Sequence, residues 1–372
     1  MAVAGFATEE GTQRYVARFA GQAGAGYFRR TPLGWLSSIG VGTYLGEPDR
    51  ATDQRYQAAV ARALALGANV VDTAINYRCQ RSERTLAATL SRLFERGELA
   101  RDEVVIATKG GFLTTDADVP GDPNRYFHEQ YIARGVITRE DEVVGGMHCM
   151  TPRYLEDQLA RSLRNLNLET IDIYYLHNPE TQLQVLERAR FLERVRAAFE
   201  ALEGFVAAGK IRVYGTATWN GYRQPPQARE FLSLAELVRL AEEVGGANHH
   251  FKAIQLPYNL AMPEAFVRAN QSLDARPASL LEAAQQFGIA IFASASILQG
   301  QITANLPEEF RRLFTGLDSD AQRAIQFVRS TPGITTALVG MSRVEHVEEN
   351  LQLATQPPLP REKFLQLFRR ES

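Results

Sequence analysis

Residues 70–84 read VVDTAINYRCQRSER. The stretch opens as an apolar, β-branched run and stops at Asp72. Tyr77 follows in a polar segment, and Ser82-Glu83 then leads into a pattern that puts Leu86, Leu90 and Leu93 on one helical face. It is a buried strand, a polar loop and an amphipathic helix in sequence, with an acid and a phenol just past the strand.

The same unit recurs along the chain. IGVGTYLG (39–46) reads as strand then turn, and AAVARALALGAN (58–69) as a helix stopping at Gly67. DEVVIATKGG (102–111) is a buried strand ending at two glycines. TPRYLEDQLARSLRNLNL (151–168) is a helix with Thr151 as its N-cap, Pro152 at its first position and a stripe of Leu155, Leu159, Leu163 and Leu166. IDIYYLHN, IRVYGTAT, FKAIQLPYN, IAIFASAS and ITTALVGMS are further strands, each separated from the next by a helical pattern. Eight strand–helix alternations imply parallel pairing, because parallel neighbours need a crossover. Eight such units predict an α/β fold, a (β/α)₈ TIM barrel. The rival is a doubly wound open sheet, which usually carries a glycine-rich turn after its first strand; no G-x-G-x-x-G occurs here. The expected organisation is an N-terminal extension (1–35) forming an arm or hairpin, a barrel (36–358), and a C-terminal tail or helix (359–372). Residues 112–150 form a long connection after the third strand, rich in Gly, Asp and Pro, which reads as a lid or binding loop.

Bulk properties exclude several classes. The chain has 372 residues, 45% apolar and 23% charged, with a net charge of -2. No basic field attracts nucleic acid or an anionic membrane, and no apolar run approaches the roughly 20 residues of a membrane span. The first residues carry acids and no basic segment before an apolar core, so no signal peptide is expected and the cytoplasm is the default compartment. Cys79 and Cys149 lack C-x-x-C spacing, which argues against a disulfide scaffold or zinc knuckle.

In such a barrel the active site lies on loops at the carboxyl ends of the strands. Asp72 ends the second strand and Tyr77 lies in its loop; Lys109 ends the third and His177 the fourth. Taken singly these are a turn-capping acid, a solvated lysine and a buried histidine. Together they have compatible chemistry. A phenol ionises near pH 10, and a nearby ammonium lowers that value by favouring phenolate. A buried ammonium needs a carboxylate. Lys109 is thus expected to tune Tyr77, Asp72 to hold Lys109, and His177 to polarise a substrate carbonyl. Protonating an oxygen while hydride arrives elsewhere is carbonyl reduction. No side chain supplies hydride, so a nicotinamide cofactor is implied.

At these residues the sequence resembles the aldo/keto reductases, over about residues 32–356. The likeness rests on GVGTYLG, VVDTAINYRCQRSER, IATKGG, IDIYYLHN, GKIRVYGTATWN, QLPYN, LQGQI and LVGMSRVEHVEEN, in the family's order. The resemblance implies a barrel binding NADPH without a Rossmann domain, and a tetrad of Asp72, Tyr77, Lys109 and His177, with Tyr77 as acid in reduction and base in oxidation. It implies that Gly42, Thr43 and Tyr44 lie near nicotinamide and substrate, and that Gln255 bonds the carboxamide. The family's Ser-Asn pair is Ala217-Thr218 here, with Thr218 keeping a hydroxyl. Ser294 stands where the family has a stacking aromatic, and Gly300 matches the glycine of the pyrophosphate loop. Ser342, Arg343, His346, Glu349 and Asn350 fall on the adenosine positions. Arg343 at a helix N-terminus suits a 2′-phosphate, favouring NADP; Gly340 in place of a lysine of some subfamilies leaves NAD open.

The implied partner is a small carbonyl compound, an aldehyde, ketone or sugar hemiacetal, with no nucleic acid or membrane. Where the family has glycine after the tyrosine, this chain has Arg78-Cys79. Arg78 is a candidate contact for an anionic substrate, or alternatively a solvated residue or a partner of Glu83. Trp219 is a candidate pocket wall. The long connection is expected to bring Phe127, Met147 or His148 toward substrate. Two other readings compete: a nicotinamide-binding regulatory protein on the same barrel, and a metal-dependent hydrolase or isomerase, disfavoured because no H-x-H spacing occurs on a strand.

Overall fold

A computed structural model describes residues 1–138, 141, 147–274 and 276–368. Its centre is a closed barrel of eight parallel strands in chain order. The first half runs β1 (Ile39–Gly42), α1 (Arg50–Ala65), β2 (Val70–Asp72), α2 (Arg81–Glu95), β3 (Val105–Gly110), α3 (Pro152–Leu166), β4 (Ile171–His177) and α4 (Arg188–Ala207). The second runs β5 (Ile211–Ala217), α5 (Leu234–Gly245), β6 (Phe251–Pro257), α6 (Leu280–Gln286), β7 (Ala290–Ser294), α7 (Asp320–Ser330), β8 (Thr336–Gly340) and α8 (Val344–Leu351). The barrel predicted from the alternation is the fold observed.

The strand sequences look continuously apolar because both faces are covered. Val71, Ile106 and Tyr174 point outward into the layer beneath the helices, which holds Val60, Leu86, Leu90, Leu155 and Phe199. Their neighbours Val70, Val105, Ala107, Ile173 and Tyr175 point inward and fill the lumen with Phe292 and Leu338. The barrel is therefore a packed core, and its open chemistry is confined to the rim.

The N-terminal segment forms a helix, Glu9–Ala17, then an antiparallel hairpin pairing Phe28–Thr31 with Gly34–Ser37. Leu33 and Leu36 enter the lumen cluster from the amino ends of the strands and close that end. Asn69, just before β2, fastens the hairpin: its side-chain oxygen accepts from Ser37 N–H at 2.8 Å and its amide donates to Trp35 O at 2.8 Å. At the other terminus, helix Arg361–Gln366 buries Phe364 against Phe266 and Phe327. Residues 369–372 of the expected tail lie outside the described residues, as do 139–140 and 142–146 of the long connection.

Two local details add to the sequence reading. Thr151 occupies the N-cap of α3, but its hydroxyl makes no cap bond. It lies 3.4 Å from Cys149 Sγ instead. The long connection carries structure of its own. Its Leu113, Tyr126, Tyr131, Val136, Ile137 and Cys149 form a small core of their own with Tyr154 of α3.

Candidate active site

Asp72, Lys109 and His177 sit at the carboxyl ends of β2, β3 and β4, and Tyr77 in the loop after β2. The fully buried Lys109 ammonium donates to Asp72 Oδ2 at 2.7 Å, to Thr73 O at 2.8 Å and to Tyr77 Oη at 3.1 Å. Three acceptors account for its three protons. Burial works to lower the Lys109 pKa, but Asp72 and Tyr77 outweigh it and the net shift is upward, so it stays charged. Burial pushes the Tyr77 phenol above its ordinary value; Lys109 pulls it down and Asp72 pushes it up. The expected net lowering therefore does not occur. Loss of hydration plus the nearby carboxylate outweigh the ammonium, and Tyr77 is a neutral phenol at pH 7.

Burial, with Lys109 and His148 adding to it, holds His177 well below its ordinary pKa, so this ring is also neutral. Its face is set edge-on to Tyr77, with centroids 6.0 Å apart, and to Phe112 at 5.0 Å. Tyr44 stands edge-on to Tyr77 at 5.0 Å on the other side. Trp219 completes this aromatic surround, and its loop is fixed by Glu180. One Glu180 oxygen accepts from the backbone N–H groups of Trp219, Asn220 and Gly221 at 2.7, 2.9 and 3.3 Å.

A cleft of about 850 Å³ opens above these groups. One end is bounded by Tyr44, Tyr77, Phe112, His177 and Trp219. It continues past Gly42, Asp72, Thr218, Gln255 and Ser294 to Gly300, Ser342, His346, Glu349 and Asn350. Of the expected site residues, Lys109, Thr43, Arg343, Arg78 and His148 do not border it. Thr43 is buried, its hydroxyl donating to Asp72 O at 3.1 Å, and so laces β1 to β2. Arg343 is an exposed N-cap residue of α8, beside Ser342.

Arg78 turns away from the cleft altogether, which removes it as a substrate contact. Its guanidinium pairs with Asp53, donates to Glu47 O at 3.0 Å and lies over the Tyr56 ring. The cause is the backbone: Arg78, Cys79 and Gln80 have φ of 51°, 50° and 73°, three left-handed residues in succession. That conformation explains why glycine suits this place, and it costs roughly 1–2 kcal/mol per non-glycine residue. Asp53 offsets the strain by also binding Arg81 and accepting from Thr85 Oγ1 at 2.8 Å. His148 is buried behind His177 rather than beside substrate. Phe127 packs in the connection's own core, and Met147 is exposed outside the cleft lining.

Gln255 lines the cleft and makes a further contact. Its amide donates to Asp72 Oδ1 at 2.7 Å, so both carboxylate oxygens of Asp72 are engaged. Asn76, Phe112 and Asn178 also line the cleft; their one signal in the sequence is position in the loops after β2, β3 and β4. A nicotinamide dinucleotide suits this cleft. Thr218 Oγ1, Asn76 Oδ1 and Asn350 Oδ1 are buried, belong to residues lining the cleft and have no protein partner, as polar groups awaiting a polar ligand would. Among the described residues no cluster of His, Cys, Asp or Glu is placed to hold a metal ion, no helix is long and apolar enough to cross a membrane, and both cysteines are free.

A parallel eightfold barrel with its polar cluster at the carboxyl-end rim defines a (β/α)₈ protein of the enzyme-bearing type. The chain belongs to the aldo/keto reductase family, whose sequence model matches residues 38–368. It is 23% identical over 364 residues to L-glyceraldehyde 3-phosphate reductase of Escherichia coli O157:H7, covering 89% of this chain and 87% of that one. It is 20% identical over 325 residues to the uncharacterized oxidoreductase YqkF of Bacillus subtilis (strain 168), covering 81% and 83%. In fold it is similar to the Klebsiella pneumoniae aldo-keto reductase in complex with NADPH (TM-score 0.60, 19% identity, covering 92% of this chain and 96% of that one). The holo form of aldo-keto reductase AKR11C1 from Bacillus halodurans is similar as well (TM-score 0.61, 19% identity, 93% and 97%).

Proposed function

We propose that this protein is an NADPH-dependent oxidoreductase that reduces a small aldehyde or ketone, or oxidises the corresponding alcohol or hemiacetal. The observation that carries the reading is the buried Lys109 ammonium held between Asp72 and Tyr77, which both line the cleft. NADPH, when bound, supplies the hydride. Thr218, Gln255, Ser294 and Gly300 would hold its nicotinamide half, and Ser342, His346, Glu349 and Asn350 its adenosine half, with Arg343 at the α8 N-terminus meeting the 2′-phosphate.

Tyr77 is a neutral phenol and so begins as the proton donor. As the substrate oxygen gains charge, Tyr77 Oη passes it a proton, and the adjacent ammonium stabilises the phenolate that remains. Asp72 keeps that buried ammonium charged. His177, neutral, has an N–H to offer the same oxygen and so orients it. Tyr44, Phe112 and Trp219 present ring faces and edges to the remainder of the substrate, which favours a carbonyl compound with an apolar or flat flank.

The test is NADPH consumption with a panel of aldehydes and ketones. Turnover that Tyr77→Phe abolishes, with cofactor affinity retained, supports the reading. Tight NADPH binding with no turnover on any carbonyl overturns it in favour of a nicotinamide-binding regulatory protein.

A further inference from the structure

The connection after β3 returns to the strand it left. Leu113 N–H donates to Met147 O at 2.9 Å and Cys149 N–H to Gly111 O at 2.8 Å, and Phe112 pairs with His148 across the two limbs. This sets the buried His148 against the end of β4. Its Nε2 lies 2.7 Å from His177 O and its Nδ1 3.0 Å from Gln182 Nε2. Gln182 Oε1 accepts from Arg194 at 2.8 Å.

The polarity of this chain is determined link by link. An arginine only donates, so Gln182 turns its oxygen to Arg194 and its amino group to His148. His148 Nδ1 must then accept. The single N–H of the neutral ring is on Nε2 and donates to the His177 carbonyl. Burial pushes the His148 pKa down to about 4, which keeps the ring neutral around pH 7.

That carbonyl sits at a critical bend. Asn178, immediately after it, is left-handed (φ 46°), and its N–H donates to Ala217 O at 2.6 Å. His177 Nδ1 is buried with no partner, so no hydrogen bond at that atom aims the ring. Its aim depends on its backbone and on the edge-on Phe112 ring, which meets both histidines at 5.0 Å. Gly111 leaves room for this: a Cβ there would stand 2.8 Å from His177 O and 3.0 Å from His148 Nε2, at a φ of +153°.

We propose that His148 is a positioning residue for His177, and that the long connection after β3 is closed on itself to bring this Nε2–H donor and the Phe112 ring against the end of β4. The proposal rests on the reading of His177 as the group that orients the carbonyl. It is tested on the full chain, with a carbonyl that the wild type reduces and Tyr77→Phe does not. His148→Leu is expected to lower kcat about tenfold or more, since small misplacements of an orienting group are costly. Affinity for NADPH should stay unchanged, because His148 does not border the cleft. His148→Gln, which can donate to the same oxygen and accept from Gln182, is expected to recover most of the lost kcat. Wild-type kcat in His148→Leu overturns the proposal, as does a His148→Gln enzyme no better than His148→Leu. Should His148→Leu fail to fold, Gln182→Leu decides: it frees the tautomer and is expected to lower kcat, and unchanged kcat counts against the proposal. Independently of turnover, ¹⁵N NMR of the imidazoles is expected to report His148 as the Nε2–H tautomer. An Nδ1–H ring overturns the proposal, whereas absence of turnover on any carbonyl defeats only the proposed reaction.

Discussion

Gln255 reaches across the carboxyl end of the barrel and donates to Asp72 Oδ1 at 2.7 Å. With Lys109 on the other oxygen at 2.7 Å, the carboxylate at the end of β2 is held by side chains of β3 and β6 together. A buried charge is tolerated when its lone pairs are met in this way. The arrangement makes Asp72 the hub of the site: it keeps Lys109 charged, and its own charge helps keep the Tyr77 proton in place.

Asp72→Asn should therefore damage stability and turnover at once. It leaves the buried Lys109 without its carboxylate, a loss of about 3–5 kcal/mol when one partner of a buried pair is removed. Lys109 then tends to deprotonate, since burial is no longer opposed by Asp72. Denaturant unfolding measures the first effect and NADPH consumption the second. Wild-type stability in this variant would contradict the buried-pair account.

The left-handed triplet after Tyr77 predicts opposite outcomes for adjacent residues. Cys79→Gly removes a non-glycine side chain from φ 50° and should leave stability unchanged or raise it by about 1 kcal/mol. Arg78→Gly relieves the same kind of strain but breaks the Asp53 pair and the Tyr56 contact, and should destabilise by about 2 kcal/mol or more. Thermal melts of the two single variants compare them directly.

Thr218→Val separates folding from ligand binding. The Thr218 hydroxyl oxygen is buried without a protein partner, so replacing it with a methyl of similar shape should not cost folding stability. If that oxygen meets the cofactor, NADPH affinity should fall by a factor of about ten, the worth of one hydrogen bond. Isothermal titration with NADPH, alongside a melt of the free protein, reads both.

Acid should destabilise the fold before it protonates the carboxylates. His148 has its pKa pushed from 6.5 down to about 4, and His177 is pushed well below 6.5. In the unfolded chain both rings take up a proton near pH 6.5, while in the fold they resist it. Their neutral forms thus stabilise the protein fully above about pH 6.5, and that contribution is lost as pH falls toward 4. For His148 alone the loss is of order 3 kcal/mol. Melting temperature followed from pH 7 to pH 4 should drop, and His148→Gln should flatten the curve.

Much of this was legible in the sequence because it depends on local period. Strand after strand, an apolar run gives way to a helix with an apolar face; these patterns are properties of neighbouring residues. Asp72, Lys109 and His177 could be read off for the same reason, since each marks where an apolar run meets a loop. Arg78 and His148 could not. Three positive φ values swing Arg78, adjacent to Tyr77 in sequence, out of the cleft and onto Asp53. His148 gains its role because a long connection closes on itself and sets it 2.7 Å from an oxygen 29 residues away. The state of Tyr77 belongs to the same class. Sequence supplies the phenol and the ammonium that would lower its pKa, but how much water each loses is decided only when the barrel closes. Desolvation then outweighs the charge, and the proton stays on the phenol.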